Sequence, residues 1–224
     1  MTQAEFAETD AIIGRVLDAL LATLEGKYNR STMEARNVIG FLYANIEGVL
    51  DKGTLGQSLV SCFLLCREVG ATRVAMDGVR RAMLNEQPTT IPGTVIATSA
   101  IFLSLLEQTR ILGETTFRSR DEVDAMLMLM NAAFDPAENF AATYTDDPRV
   151  YQALVSLHAA LSADLTDRSR PLPRMVRYEF RERMPSLKLS MRIYSEARRA
   201  YELVKENRVV HPAFCLAAGR CLGA

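Results

Sequence analysis

The chain has 224 residues, 49% of them hydrophobic and 24% charged, with 26 Lys and Arg against 27 Asp and Glu for a net charge of −1. That length suits one large or two modest domains, each with its own core, and that composition excludes a mostly disordered chain. The longest apolar stretch, Val95 to Leu106, is broken by Thr98, Ser99 and Ser104 and is too short for a bilayer, so no membrane span is expected; the acidic start MTQAEFAETD is not patterned as a signal peptide.

The first 167 residues read as successive helices. Ile12, Val16, Ala19, Leu20 and Leu24 share one face of a helix from about Ala4 to Leu24, which Gly26 stops. Ser31-Thr32-Met33-Glu34 has the spacing of a capping box, and the helix it opens is expected to continue through Val38, Phe41, Leu42 and Ile46 to Gly53. Further helices are predicted over 55–69 and 72–84, and Pro88 and Pro92 mark 85–93 as a loop. A very apolar helix covers about Thr94 to Leu112. Ser119-Arg120-Asp121-Glu122 offers a second capping box. Its helix interleaves Met126, Met128 and Met130 with Leu127 and Leu129, a pattern that predicts a fully buried helix in preference to a Met-rich contact surface. Asp147-Pro148 opens a last helix, to about Leu165. No repeat of fixed period is present, so the expectation is a multi-helix all-α domain over 1–167.

The polar, basic stretch Thr166 to Arg174, with Pro171 and Pro173, is the predicted domain boundary. Met175 to Phe180 alternates as a strand, with Val176, Tyr178 and Phe180 on one face. Helices follow over 186–194 and 195–206, and Val209 to Leu222 reads as a turn and a returning strand. The fold class is therefore mainly α: a multi-helix domain followed by a small α+β module, strand-helix-helix-strand, over 168–224. Charge divides the same way. Residues 1–167 carry 13 basic and 22 acidic side chains, a net of −9, and residues 168–224 carry 13 and 5, a net of +8. The basic half suits either nucleic acid or an acidic protein neighbour. Arg174, Arg177, Arg181, Arg183 and Arg192 are the candidate docking residues, because a guanidinium suits carboxylate and phosphate alike.

No catalytic constellation assembles. His158 reads as a helix-surface or partly buried residue, and His211 as a turn residue before Pro212. Cys62 and Cys66 lie four apart in an apolar helix, the pattern of core residues more than of zinc ligands. Asp121, Glu122 and Asp124 stand at a helix start, where they favour the positive end of the dipole. There is no phosphate-binding glycine loop, nucleophile elbow or His-Glu-x-x-His pair. The expectation is a non-enzyme without metal or cofactor.

A family resemblance lies in the C-terminal text: Leu172-Pro173-Arg174, Tyr178, Pro185-Ser186-Leu187, Ile193-Tyr194, Ala197, Arg199-Ala200, Glu202-Leu203, Asn207, His211-Pro212, Phe214, Gly219-Arg220 and Leu222. These residues resemble the end of the DNA circularisation, or N protein, family of Mu-like phages. Members of that family usually carry a further region before the helices, expected here to be encoded separately or lost. The module is also similar to a LysM domain, with Tyr178 in the first strand, Asn207 after the second helix, Pro212 in the turn and Gly219-Arg220-Cys221-Leu222 returning. Met184-Pro185-Ser186-Leu187 replaces the usual Gly-Asp-Thr-Leu helix start, which favours protein docking over glycan binding. The implied module core is Tyr178, Leu187, Ile193, Leu203, Asn207, Pro212, Phe214 and Leu222. The implied role is that of a structural protein of a contractile tail in the virion, assembled in the host cytoplasm. It would sit at the baseplate hub or the tube-initiation region, in several copies in a symmetric assembly with hub, tube and tape-measure proteins. A peptidoglycan-binding LysM accessory protein and a DNA-binding protein are the alternatives, DNA contact being the less favoured.

Overall fold

Helix starts are fixed by side chains that take up the free amides of the first turn. In the computed structural model, which describes residues 2–223, Thr2 does this for α1 (Gln3–Ala22). Its hydroxyl accepts from Glu5 N while the Glu5 carboxylate accepts from Thr2 N at 2.6 Å. Helix α2 (Arg30–Ala44) is capped by Asn29, whose Oδ1 accepts from Thr32 N at 2.8 Å. The expected Ser31 cap is therefore displaced by two residues. An extended Asn29 allows the helix to begin earlier, and Glu34 pairs with Arg30 instead of reaching back to Ser31. The run expected to reach Gly53 breaks at Asn45, and α3 (Ile46–Asp51) follows.

Next come α4 (Leu55–Glu68), α5 (Arg73–Leu84) and α6 (Ile91–Glu114). Pro92, read in sequence as part of a loop, sits in the first turn of α6, where its missing N–H costs no helix bond, and Thr90 Oγ1 accepts from Gly93 N at 3.2 Å. Gly26 and Gly70 stand at chain reversals with φ of 72° and 88°, conformations that L side chains resist. Helices α7 (Arg120–Tyr144) and α8 (Pro148–Ser169) complete the helical series.

Two units divide the chain. The first comprises the residues up to Thr115 together with Leu129–Ser162. Its core joins Ile12, Ile13, Val16, Leu17 and Leu20 of α1 to Cys62, Phe63 and Cys66 of α4 and Met76, Val79 and Met83 of α5. Ala97, Ala100, Ile101 and Leu105 of α6 and Phe134 of α7 complete it, all 0% or 1% exposed. Each large side chain buried in this way contributes roughly 1.5–3 kcal/mol of transfer free energy. By length and composition α6 could cross a membrane; 56% of its most apolar window is buried inside the protein, as in a core helix.

The Met-rich stretch is not buried all round. Met130 is 1% exposed, but Met128 is 73% and Leu129 51% exposed. Periodicity explains the difference: Val123, Met130, Phe134, Ala137 and Ala141 share a stripe at helical spacing, and Met128 and Leu129 fall outside it.

The second unit comprises Thr116–Met128 and Ala163 to the C-terminus. Strand β1 (Met175–Glu179) pairs antiparallel with β2 (Ala218–Leu222), with Arg177 opposite Arg220 and Tyr178 opposite Gly219. Between them lie α9 (Ser186–Tyr194), a 3-10 turn (Ala197–Arg199), α10 (Ala200–Glu206) and a second 3-10 turn (Pro212–Phe214). The unit core is Tyr178, Met184, Leu189, Leu203, Cys215 and Cys221, with Phe180, Ile193, Tyr194, Val204 and Val209 packed against it. This unit does not begin at residue 168. It recruits 116–128 through Arg120 N, which donates to Pro173 O at 2.9 Å, and through Asp121 Oδ2, which accepts from Met175 N at 2.7 Å.

Candidate docking surface

Asn207, at the end of α10, positions β2. Its Oδ1 accepts from Arg220 N at 2.7 Å, and its Nδ2 donates to Arg220 O at 2.8 Å and to Leu203 O at 2.9 Å. The side-chain amide thus acts as a one-residue strand on the edge of β2 away from β1. Gly219 makes room for it. A Cβ there would lie 2.6 Å from the Tyr178 hydroxyl and collide with Asn207 Oδ1. Leu222 N donates to the Tyr194 hydroxyl at 3.1 Å, so the same edge is held at a second point.

Of the residues expected in the module core, Tyr178 and Leu203 lie in it and Ile193 packs against it. Leu187 and Phe214 do not: they are 60% and 66% exposed. Leu187 falls on the outer face of the short helix α9, whose Ser186, Leu189 and Ser190 turn inward. Phe214 sits in a 3-10 turn, its ring against His211 at 5.5 Å. Pro212 is exposed beside it, and Leu222 is half-buried.

Arg174, Arg177, Arg181, Arg183 and Arg192 are all exposed. Among the described residues, the first four have no ion-pair partner, whereas Arg192 lies over the Phe180 ring at 5.8 Å. Strand β1 ends at Glu179, so Arg177 stands on the outer face of the sheet beside Arg220, and Arg181 and Arg183 lie beyond the strand. The Arg220 side chain is 3.4 Å from Glu206 and is partly neutralised there.

The same unit holds a cavity of about 380 Å³ lined by Arg118, Glu122, Tyr194, Tyr201, Glu202 and Glu206 among others. Arg199 lies 3.7 Å over the Tyr194 ring and pairs with Glu202 at 2.9 Å. Burial pushes the Tyr194 hydroxyl and the Cys221 thiol up from their ordinary values. The first unit has an apolar groove of about 490 Å³, lined by Leu59, Val60, Val95, Phe102, Leu103 and Val150 among others.

One cluster is formed by residues that the sequence pattern does not single out. Asp135 and Glu138 on α7 and His158 on α8 bring their ligand atoms within 4.8 Å of one another, a geometry that could hold a divalent cation. The signal was present as an Asp-x-x-Glu one helical hairpin before a single His. The imidazole is already well supplied, however. Nδ1 lies 2.9 Å from Glu138 Oε1, Nε2 lies 2.9 Å from Asn131 Oδ1, and the ring stacks on Phe134 at 4.5 Å. His211 Nδ1 accepts from Ala213 N within its own turn. All four cysteines are free and buried.

No protein-family model matches this chain, and no curated protein matches it either.

Proposed function

We propose that this protein is a structural, non-catalytic component of a phage-type contractile tail, at the baseplate hub or the tube-initiation region. In this reading unit 2 is a LysM-like module used for protein docking. The carrying observation is that several residues bearing the family resemblance hold structural positions in unit 2, while Leu187 and Phe214 stand on its surface. Leu172-Pro173-Arg174 leads into β1 and Tyr178 lies in the core. Pro185-Ser186 opens α9, and Asn207 clamps the strand that carries Gly219, Arg220 and Leu222. The exposed arginines supply charge for acidic faces on hub, tube or tape-measure neighbours, with several copies around a symmetric axis.

Co-purification tests the reading. The protein is expected in purified tails at a fixed ratio to the tube protein, and its absence from intact tails overturns the proposal. Pull-down on insoluble peptidoglycan and a low-salt DNA shift are expected to be negative; strong binding in either assay replaces docking by the corresponding alternative.

A further inference from the structure

We propose that β1 is a self-docking edge: the β1 strand of a second copy of this chain adds to it antiparallel, centred on Tyr178, giving a four-stranded sheet ordered β2-β1-β1-β2.

In an antiparallel pair, alternate residues of each strand direct their N–H and C=O groups toward the partner. The bonds flanking the sheet fix which ones do so here. Phe180 N donates to Ala217 O and Gly223 N to Arg174 O, so the even-numbered residues of β1 face β2 and the odd-numbered ones face away. The opposite edge of β2 obeys the same alternation, since Arg220 and Leu222 bond Asn207 and Tyr194. On the outer edge of β1, Met175 N is taken by Asp121. Among the described residues no hydrogen bond reaches the outward amide and carbonyl of Arg177 or Glu179, and neither side chain has an ion-pair partner. The edge is therefore bare over these two residues, with both side chains exposed on one face of the sheet. An exposed edge of this kind is a template for another strand.

Charge selects the occupant and the register. Centred on Tyr178, antiparallel pairing sets Arg177 opposite Glu179 of the second copy, and the symmetry makes that pair twice. Both are outward residues, so each pair exchanges two backbone hydrogen bonds. The same register brings half-exposed Val176 to Phe180, just past the end of the strand, and leaves the outer edge at Met175 to Asp121. Centred one residue earlier, Arg177 faces Arg177. Centred one later, Glu179 faces Glu179. Both shifts put like charges directly opposite, which is destabilising. A strand of other sequence meets the same Arg-x-Glu pattern without its complement, so the charges that admit a second copy exclude most other strands.

Sedimentation of the full chain over a wide concentration range tests the pairing, using wild type, Arg177→Glu, Glu179→Arg and the double variant. Exposed side chains are changed in every case, and circular dichroism checks that each variant is folded. Wild type is expected to show a monomer–dimer equilibrium, each single reversal to weaken it about tenfold or more, and the double reversal to restore it. Amide exchange is expected to slow at Arg177 and Glu179 as concentration rises. Any of three results overturns the proposal: a monomer at all concentrations, a dimer indifferent to the single reversals, or a dimer that leaves those two amides unprotected. The inference stands on β1 alone; a dimer in solution combined with absence from tails removes the tail reading and leaves this one intact.

Discussion

The side chain of Asn207 hydrogen-bonds both backbone groups of Arg220, accepting from its N–H at 2.7 Å and donating to its C=O at 2.8 Å. An amide has one acceptor and two donors, and Asn207 spends the second donor on Leu203 O. Asn207→Ala is expected to lower the stability of unit 2 by about 2 kcal/mol, since the Arg220 groups lose their protein partner. Asn207→Asp is expected to recover little of it, because both donated bonds disappear and a carboxylate faces two carbonyls. Chemical denaturation followed at unit 2 signals, with amide exchange at Arg220, measures both.

Tyr178 presents the opposite case. Its ring belongs to the unit core, but its hydroxyl is buried with no hydrogen-bond partner among the described residues, and burial raises its pKa. An unpaired buried hydroxyl costs free energy. Tyr178→Phe is therefore expected to leave the fold intact and raise stability by about 1 kcal/mol. Gly219→Ala, which crowds the same hydroxyl, is expected to destabilise and to be partly rescued by Tyr178→Phe. Comparing denaturation midpoints of the three variants checks this, and lower stability in Tyr178→Phe contradicts it.

Glu107, 2% exposed, lies 2.8 Å from Arg67 Nε and 2.5 Å from Arg110 Nη1. Glu107→Ala leaves Arg67, 21% exposed and still beside Glu114, and Arg110, 46% exposed, without this carboxylate, and is expected to cost about 2 kcal/mol. Arg67 also touches Glu114 at 3.2 Å, but that carboxylate is 73% exposed. Glu114→Ala is therefore expected to cost no more than about 0.5 kcal/mol. Urea denaturation of the pair separates the buried contact from the exposed one.

The Cys62 thiol is pushed up from 9.0 to about 12, first by burial and then by its neighbour Cys66. The unfolded chain releases this proton near 9.0, whereas the folded chain keeps it to about 12. The contribution to stability is complete below pH 9 and is lost as pH rises toward 12, by about 1.4 kcal/mol per pH unit. Cys66, Cys215 and Cys221 are raised as well and act in the same direction. Urea midpoints are expected to fall above pH 9, with a shallower slope in Cys62→Ala. Thiol reagents are expected to label the native chain only slowly.

Local signals were legible. Helix spacing placed α4 and α5 within a residue of their observed ends, and Asp147 caps α8 through Arg149 N at 2.9 Å. The Ser119 hydroxyl accepts from Glu122 N as its capping pattern predicts, although Glu122 reaches back to Arg118 N. Competing caps were harder to read, because Asn29 and Ser31 are equally able and only the extended backbone at Asn29 decides between them. In the candidate docking surface, the strand-helix-helix-strand order and the exposure of the arginines could be read from alternation and charge. The exposure of Leu187 and Phe214 could not, since short helices and turns carry too few residues to define a face. Nor could the bare edge of β1, which depends on which strand lies beside it.

The two bonds that carry 116–128 into unit 2, Arg120 N to Pro173 O and Asp121 to Met175 N, connect residues 53 and 54 positions apart. Because Leu129–Ser162 belongs to unit 1, the two units are interleaved along the chain. During synthesis, which adds residues in order at about 5–20 per second, neither unit is complete when Thr115 emerges. Residues 116–128 wait for partners made some 50 positions later, and unit 1 waits for its last 34 residues, Leu129–Ser162. A pause once Thr115 has emerged would expose an unfinished helical core, whereas a pause once Ser162 has emerged would leave that unit free to close.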